Sequence, residues 1–328
     1  MQLSSKDIIS IESNYALSNF LLVWQMTKWC NYNCSYCTQT RERLASQEQL
    51  VDRAKKINIL AQQIKSSGKY LHLKLLGGEV TYYNLQEVLS NINLSNLSSI
   101  DLVTNFSRDN SYFIELFNYI KSRNSFTRFK VCASYHEEFG SLEDFVAKLR
   151  DLHLRSRDIS LRLSLVVDGS CDVRYVKRLL LQNPYLHIYF SLLRDKDGCI
   201  SVDLSPEWRG LINSRRAKSN SVTVTTAKRE SFNLPMLHSI QSSLNLEPDF
   251  IGYYCSAGLT YLYVDCDGVV SRANCIQTKS ADALLGNIDS GDIQLPKSLF
   301  RCALNPASTR RTCNLCSSVC IYKHHPEK

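Results

Sequence analysis

Three cysteines near the start of the chain have a spacing that suits metal chemistry. Cys30, Cys34 and Cys37 lie in the segment CNYNCSYC, separated by three and then two residues. Three thiolates at these spacings can hold one corner of an iron–sulfur cube, whereas ferredoxin loops use other spacings and supply a fourth cysteine. The fourth iron then has no protein ligand and is open to a substrate or cofactor. The incomplete set therefore indicates chemistry more than electron storage.

A glycine-rich segment that ends in a carboxylate is the second chemical feature. It reads LGGE at residues 76–79 and follows the second predicted strand. Together with Tyr36, the aromatic residue directly before Cys37, these features resemble the radical S-adenosylmethionine (SAM) family. That family has C-x3-C-x2-C with an aromatic residue before the last cysteine, and a Gly-Gly-Glu segment usually followed by proline. Val80 stands in the place of that proline.

The resemblance implies an enzyme with a 4Fe–4S cluster on the three cysteines and with SAM on the open iron. Gly77 and Gly78 would let the backbone approach the methionine part of SAM. An electron from the cluster would break SAM and yield a 5′-deoxyadenosyl radical, which takes a hydrogen atom from the substrate. A partner such as flavodoxin or ferredoxin would donate that electron. The cofactor-binding residues implied are Tyr36, Gly77, Gly78, Glu79, Asn105 and Ser134, with Val166 and Leu192 near the adenine.

A second set of cysteines lies toward the C-terminal end. Cys255 and Cys275 are separated by nineteen residues around a predicted hairpin, and a C-x-x-C follows at Cys313 and Cys316. The arrangement resembles the SPASM and twitch extensions of radical SAM enzymes, which bind auxiliary clusters. It has fewer cysteines than a full SPASM domain, so the resemblance implies one auxiliary 4Fe–4S cluster on these four residues. Zinc is the alternative metal because the same spacings allow it. The reserve ligands are Cys320 and Cys302.

Two other cysteines are candidate catalytic residues. Cys132 lies in the fourth predicted strand, and Cys266 lies in the turn of the predicted hairpin. Radical SAM epimerases return a hydrogen atom from a thiol, so the resemblance makes each of them a possible hydrogen donor. The alternative for both is a small buried apolar side chain, which is the commonest role of a free cysteine.

Alternating strands and helices must position these residues. Period-two and helical patterns alternate from residue 20 to about 192, and Ser141 is a predicted helix cap. Six β/α units imply a parallel sheet with right-handed crossovers, and they are too few to close an eight-stranded barrel. The predicted fold class is α/β, a partial (β/α)6 TIM barrel as the radical SAM core, with a small C-terminal auxiliary-cluster domain. The predicted strands are 20–25, 70–76, 99–104, 129–134, 160–167 and 186–191, and the predicted helices are 47–65, 85–92, 112–121, 141–152 and 173–181.

The predicted organisation has four parts. An N-terminal lead-in covers 1–19 and the partial barrel covers 20–194. A capping or linker region covers 195–250, where the pattern weakens except for a possible strand at 221–226. The auxiliary-cluster domain covers 251–328 and begins with a hairpin at 259–272.

Composition bounds the cellular setting. The 328 residues are 44% hydrophobic and 21% charged, as in ordinary globular proteins. No apolar run reaches the ~18 residues of a membrane helix, and no signal peptide is recognisable, so a cytoplasmic protein without a membrane partner is expected. Thirteen cysteines in such a chain favour metal ligation over disulfides. The net charge of +8 comes with no nucleic-acid motif, so no nucleic acid is expected.

Three functions are compatible with these residues. The first is a small-molecule dehydrogenase or epimerase acting on a sugar or aminocyclitol, which the single auxiliary cluster and compact tail favour. The second is a peptide-modifying maturase, as many SPASM enzymes are. The third is a non-enzymatic zinc or iron–sulfur binding module, which would need neither the Gly-Gly-Glu segment nor the barrel.

Overall fold

Two compact units make up the chain in the computed structural model. One unit, here the barrel unit, comprises Trp24–Lys65 and Leu71–Ile212, and the other, here the terminal unit, comprises Met1–Val23, Ser66–Tyr70 and Asn213–Lys328. The N-terminal residues predicted as a lead-in therefore fall in the same unit as the C-terminal part of the chain. The structure describes residues 8–12, 18–37, 39, 41, 45–167, 172–192, 205–214, 221–226, 231–235, 254–272, 283–301 and 323–324.

The described residues form the following helices and strands. The strands are β1 (Ile8–Glu12), β2 (Asn19–Thr27), β3 (Tyr70–Gly77), β4 (Leu97–Thr104), β5 (Arg128–Tyr135), β6 (Ser160–Val167), β7 (His187–Leu192), β8 (Ser221–Thr226), β9 (Ser231–Pro235), β10 (Tyr254–Cys255), β11 (Tyr261–Val264), β12 (Val269–Ser271), β13 (Leu284–Asn287), β14 (Asp292–Ile293), β15 (Phe300–Arg301) and β16 (Lys323–His324). The helices are α1 (Gln47–Ser66), α2 (Leu85–Ser90), α3 (Asn110–Arg123), α4 (Leu142–Arg155), α5 (Val173–Gln182) and α6 (Pro206–Ser214).

A parallel sheet forms the centre of the barrel unit. Its strands run in the order β2-β3-β4-β5-β6-β7, and each pair from β3–β4 to β6–β7 is parallel. A helix follows each of β3, β4, β5 and β6, as right-handed crossovers require. The described strands leave the sheet open, so the predicted α/β partial barrel is confirmed.

One face of this sheet is apolar and carries the core of the unit. Along each strand, every second residue points to this face. One such residue from each of β3, β4, β5 and β6 is 0% exposed: Leu73, Ile100, Val131 and Leu163. Each such side chain contributes roughly 1.5–3 kcal/mol by leaving water. The residues between them are polar or charged, so the other face has a different chemistry.

The helices begin and end close to where their patterns predict. The predicted stripe Leu50, Ala54, Ile57 and Ala61 is buried on α1. Ser141 caps α4 as predicted, because its hydroxyl accepts a hydrogen bond from the Asp144 amide at 3.1 Å. Such a cap satisfies one of the free amides of the first turn and stabilises the helix by about 1 kcal/mol.

Antiparallel strands form the terminal unit. One sheet has the order β15-β10-β16-β1-β8-β9, in which β1 pairs with both β8 and β16. The predicted hairpin is present as β11 and β12, and the Asp265 carboxylate closes its turn by accepting the amides of Asp267 at 2.9 Å and Val269 at 2.8 Å. The predicted strand Ser221–Thr226 is confirmed as β8.

Several elements were not predicted. They include β1 at the N-terminal end and α6 in the predicted linker region. Among the residues described, no helix is both long enough and apolar enough to cross a membrane.

Candidate active site

The cysteine loop follows β2. Cys34 is buried, Cys30 is partly buried and Cys37 is exposed. The Tyr32 amide donates a hydrogen bond to the Cys30 sulfur at 3.4 Å, and the Gln39 amide donates to the Cys37 sulfur at 3.5 Å. Amides that point at sulfur are the surroundings that iron–sulfur ligands need, because they stabilise negative charge on the thiolate.

The electrostatics of the loop favour a bound cation. Burial raises the pKa of Cys30, and the charges of Glu79 and Cys37 raise it further. Burial also raises the pKa of Cys34, with added repulsion from Cys37. Iron would reverse this penalty, because a coordinating cation draws a thiol into its thiolate form.

The donor set of the loop consists of three cysteine sulfurs, which are ligands of iron–sulfur clusters. In the described ranges, no group of three or more His, Cys, Asp or Glu side chains is arranged to hold one ion. A cubane does not need such convergence, because each of its cysteines ligates a different iron. Three thiols can ligate three of the four irons of a 4Fe–4S cluster, and the assignment of a cluster to Cys30, Cys34 and Cys37 stays a prediction.

The glycine pair packs directly against the start of the cysteine loop. The Gly78 amide donates to the Thr27 carbonyl at 2.9 Å, and the Glu79 amide donates to the Trp29 carbonyl at 2.8 Å. A side chain on Gly77 would collide with the Thr27 carbonyl oxygen, and one on Gly78 with the Trp29 carbonyl oxygen. The glycines are therefore required for contact between two backbone segments, a reason that the sequence did not indicate.

Glu79 is the centre of a buried hydrogen-bond network. One carboxylate oxygen accepts from the Thr81 amide at 3.0 Å, the Thr81 hydroxyl at 2.6 Å and the Thr104 hydroxyl at 2.7 Å. The other oxygen accepts from the Asn105 amide at 2.6 Å. These donors compensate a carboxylate that is 0% exposed. We call Glu79, Thr81, Thr104 and Asn105 the first brace.

Asn105 connects the first brace to the cysteine loop. Its side-chain amide donates to the Asn31 side chain at 2.7 Å and to the Cys30 sulfur at 3.7 Å. Glu79 and Asn105, which the resemblance implied as SAM contacts, thus hold the loop in place. Their contact with SAM stays a prediction.

The turn after β4 is strained. Phe106 has a φ of 60°, in the left-handed region, although it is buried. This conformation costs a non-glycine residue roughly 1–2 kcal/mol. The Phe106 amide donates to the Thr104 hydroxyl at 3.0 Å, and the Lys148 ammonium donates to the Phe106 carbonyl at 2.8 Å. These contacts stabilise the turn that directs Asn105 toward the cysteine loop.

A second set of contacts holds the other end of the loop. The Ser35 hydroxyl donates to Glu138 at 2.6 Å, and the Ser35 amide donates to it at 3.0 Å. The His136 Nδ1 atom lies 2.8 Å from the Tyr36 hydroxyl and 3.3 Å from the Cys34 sulfur. We call Ser35, His136 and Glu138 the second brace. The period-two pattern of the fourth predicted strand places His136 on the same face as Cys132 and Ser134, but the sequence indicated no role for Ser35, His136 or Glu138.

Two residues of the second brace titrate: Glu138 is exposed, and His136 is partly buried. The hydrogen bonds from Ser35, first its hydroxyl and then its amide, lower the pKa of Glu138. Burial lowers the pKa of His136, so its ring is neutral at pH 7. A neutral ring carries one N–H, and the proton on Nδ1 is the tautomer that suits an ionised Cys34, which can only accept.

A cavity of about 470 Å³ adjoins the second brace. Tyr36 from the cysteine loop, Tyr135 from β5 and Val166 from β6 line it, together with Tyr175 and Trp208. Acidic side chains, Glu137, Glu138 and Glu143, also line the cavity, and its volume suits a nucleoside-sized ligand. Tyr36 and Val166 were both expected near SAM and both line this cavity. The side chain of Leu192, the other residue expected near the adenine, lies outside the described part of the chain.

Comparison with known proteins gives the fold. No protein-family profile and no curated protein matches the sequence. The solved structure of native anSMEcpe with bound AdoMet (SAM) and Cp18Cys peptide matches at 15% identity with a TM-score of 0.50, over 82% of this chain and 77% of that chain. The chain has the fold of the radical SAM enzymes.

Further solved structures match at TM-scores below 0.5, and SuiB and BtrN are two examples. Streptococcus suis SuiB matches at 15% identity and a TM-score of 0.38, over 80% of this chain and 63% of that chain. BtrN in complex with AdoMet and 2-DOIA matches at 11% identity and a TM-score of 0.40, over 83% of this chain and 79% of that chain.

Within the radical SAM fold, two predicted residues, Cys132 and Ser134, lie on β5. Cys132 is 5% exposed, and burial raises its pKa. Ser134 pairs in register with Ser164 of β6 and is not among the described residues that line the cavity. The assignment of Ser134 to SAM stays a prediction.

The proposed auxiliary-cluster residues are only partly described. Cys255 ends β10, just before the hairpin of β11 and β12. Cys266 lies in the hairpin turn and is 8% exposed. The other predicted ligands, Cys275, Cys302, Cys313, Cys316 and Cys320, lie outside the described residues.

Proposed function

We propose that this protein is a radical SAM enzyme that binds a 4Fe–4S cluster through Cys30, Cys34 and Cys37. The observation that carries the proposal is the joining of the two sequence motifs. Through the amides of Gly78 and Glu79, the glycine-rich segment binds the backbone that leads into the cysteine loop, at 2.9 and 2.8 Å. A structural metal loop would need no such pairing at the carboxyl edge of a parallel sheet, where α/β enzymes place their chemistry.

Different residues of the chain have different roles in this proposed reaction. When bound, the cluster supplies the electron that breaks the S–C5′ bond of SAM, and the resulting 5′-deoxyadenosyl radical takes a hydrogen atom from the substrate. The two braces hold the cysteine loop at the sheet edge. Tyr36 and Val166 line the cavity beside it, where the adenosyl part of SAM would bind.

Anaerobic reconstitution with iron and sulfide tests the cluster. With SAM and a strong reductant, the wild-type protein should produce 5′-deoxyadenosine, and the Cys30/Cys34/Cys37 triple alanine variant should produce none. The matched control removes Cys171 and Cys199, which have no proposed role, and should retain both iron and product. Intact SAM with wild-type protein that carries zinc instead of iron would contradict the proposal and favour a binding module.

The auxiliary cluster is the second part of the proposal. Cys255, followed by a hairpin and then by the cysteine-rich tail, supports one 4Fe–4S cluster on Cys255, Cys275, Cys313 and Cys316. The iron content separates the possibilities: about eight irons per chain indicate two clusters and about four indicate one. The triple alanine variant should retain the iron of the auxiliary site alone.

We further propose that the reaction is a dehydrogenation or epimerisation of a small molecule. Epimerisation needs a thiol in its S–H form, and the burial that raises the pKa of Cys132 maintains that form at pH 7. Cys266 is the other candidate donor, buried in the terminal unit. In deuterium oxide, an epimerase returns solvent deuterium to its product, and the alanine variant of the true donor should lose this label while still producing 5′-deoxyadenosine.

A peptide-modifying reaction is the second candidate. The anSMEcpe structure, whose fold this chain shares, contains a bound peptide. A likeness at 15% identity extends to the fold and not to the substrate. Incubation of the reconstituted protein with peptide and sugar libraries distinguishes the two, because only a substrate raises 5′-deoxyadenosine formation above the basal rate.

A further inference from the structure

The face of the parallel sheet opposite the apolar core is charged. In the strand register, Lys74 of β3 neighbours Asp101 of β4, which neighbours Lys130 of β5. Two positions further along β5, Cys132 neighbours Arg162 of β6. Side chains at paired positions of parallel strands point to the same side, so these residues share one face. We call it the inner face.

Positive charges outnumber negative charges on the inner face. Across β3 to β6 the inner face carries four cations, Lys74, Arg128, Lys130 and Arg162, and one carboxylate, Asp101. The interior of a closed barrel is filled with bulky apolar side chains instead. Placing charges on such a face is costly unless a partner compensates them.

The single carboxylate of the inner face, Asp101, already pairs with a cation. Asp101 accepts a hydrogen bond from Lys130 at 2.7 Å, and their side chains are only 15% and 29% exposed. It also accepts from the Ser99 hydroxyl at 3.2 Å, and that hydroxyl lies 2.8 Å from His72. Among the described residues, Lys130 is the cation that pairs directly with Asp101, although Lys74 neighbours Asp101 in the strand register.

Lys74 and Arg162 form no such direct ion pair among the described residues. Both are partly buried, and neither forms an ion pair or hydrogen bond with another described residue. Both act electrostatically on the Cys132 thiol, where they oppose the effect of burial on its pKa. Both cations therefore contribute positive potential at Cys132, a buried residue of the inner face that neighbours Arg162 in the strand register.

We propose that Lys74 and Arg162 form a binding site for an anionic group, a carboxylate or a phosphate, on the inner face beside Cys132. Arg162 offers a planar fork that matches two oxygens of such a group, and Lys74 adds a compact charge. The identification of this anion as part of the substrate rests on the proposed function. The binding of an anion does not, because it needs neither cluster nor SAM.

Anion binding is tested with full-length protein at constant ionic strength. Inorganic phosphate and acetate, each titrated against chloride, should raise the melting temperature of the wild-type protein, since a ligand that binds only the folded state stabilises it. The anion that produces the larger rise identifies the group that the site prefers. In Lys74→Met/Arg162→Met the apparent affinity should fall by about tenfold or more, because two charge-assisted contacts are lost.

A matched variant isolates the site from general charge effects. Lys55→Met/Arg157→Met removes the same two charges from exposed positions of the barrel unit and should keep the wild-type anion response. Arg162→Lys, which retains the charge but not the fork, should show an intermediate affinity and guards against misfolding of the double variant. An equal anion response in all four proteins would overturn the proposal.

SAM and substrate distinguish the origin of the anion. If the substituted protein loses its affinity for SAM in equilibrium dialysis, the anion is the SAM carboxylate, and the substrate assignment is wrong. If SAM affinity and basal 5′-deoxyadenosine formation are retained while the response to phosphate and acetate is lost, the anion is not part of SAM and the substrate assignment holds. A protein that binds phosphate through this site yet never cleaves SAM would refute the proposed function and leave the anion site standing.

Discussion

The two braces hold opposite ends of the same loop in different ways. In the first brace, the carboxylate of Glu79 is 0% exposed and all its described donors are buried. In the second brace, the carboxylate of Glu138 and its donor Ser35 are both exposed. The first brace reaches the loop at Cys30 through Asn105, and the second reaches it at Cys34 through His136.

Burial decides what each brace contributes. Water can replace the contacts of Ser35 with Glu138, so their net effect on stability is small. Water cannot reach Glu79, and a missing donor would leave a buried charge without a partner at a large cost. The first brace therefore fixes the backbone at the sheet edge, whereas the second adjusts the surroundings of one sulfur. Substitutions in the two braces should separate these roles.

The largest effect is expected for Glu79→Gln. One carboxylate oxygen of Glu79 accepts from the Thr81 and Thr104 hydroxyls, and the other accepts from the Asn105 amide. In glutamine an NH2 group replaces one of these oxygens, so a donor would face a donor. We expect a loss of about 3 kcal/mol in the free energy of unfolding and a matching loss of bound iron. Urea unfolding of the apoprotein measures the first, and iron analysis measures the second.

Glu115→Gln is the control for this substitution. Glu115 is exposed on α3, so its amide should leave both stability and iron content as in the wild type. If Glu79→Gln is as stable as this control, the network around Glu79 does not hold the loop.

The next largest effect is expected for Gly78→Ala. Its methyl group would meet the Trp29 carbonyl oxygen, which is backbone and cannot turn aside. We expect a loss of about 2 kcal/mol in the free energy of unfolding, together with impaired iron loading. Gly210→Ala is the matched control, because it meets nothing within 4 Å on α6 and should stabilise that helix by up to about 1 kcal/mol. Equal melting temperatures for the two variants would refute the close approach.

The sequence predicted those parts of the barrel unit and of its cysteine loop that depend on local pattern. Strand β6 has the predicted bounds, Ser160–Val167, because apolar residues recur at every second position from 161 to 167. The cysteine spacing and the Gly-Gly-Glu segment predicted which loops form the site. A motif carries this information because its residues are neighbours in the chain.

The braces could not be predicted because their partners are far apart in sequence. Thr104 is 25 residues from Glu79, and His136 is 102 residues from Cys34. The pairing of β1 with β16 joins the two ends of the chain and leaves no local trace in either segment. Only the packing of the sheet decides which strand ends meet, so these contacts require the structure.

A smaller effect is expected at the sulfur of Cys34. His136→Phe retains an aromatic ring next to Tyr36 but removes the nitrogen that lies 3.3 Å from the sulfur. A hydrogen bond to a cluster sulfur stabilises the reduced form. We expect the midpoint potential of the cluster to fall by about 40 mV, the equivalent of about 1 kcal/mol for one electron, with little change in stability.

His153→Phe is the control for the potential. His153 stacks on Tyr185 at 4.0 Å between ring centroids, an arrangement that phenylalanine can retain. The midpoint potential of the cluster in His153→Phe should equal that of the wild type, as measured by a redox titration that is followed by electron paramagnetic resonance. A shift of the same size in both variants would show that His136 does not act on the sulfur.

The smallest effect is expected for Glu138→Gln, and pH reveals it. The hydrogen bonds from Ser35 hold the pKa of the Glu138 carboxyl below its ordinary value of 4.5. A carboxyl whose pKa is lowered by folding stabilises the protein above its unfolded pKa, and this contribution is lost as the pH falls through the folded pKa. The melting temperature of apo wild type should therefore exceed that of Glu138→Gln slightly at pH 7, and the difference should vanish in acid. Glu115→Gln should show no such dependence, and a difference that persists below the folded pKa would mean that the charge of Glu138 contributes nothing to the second brace.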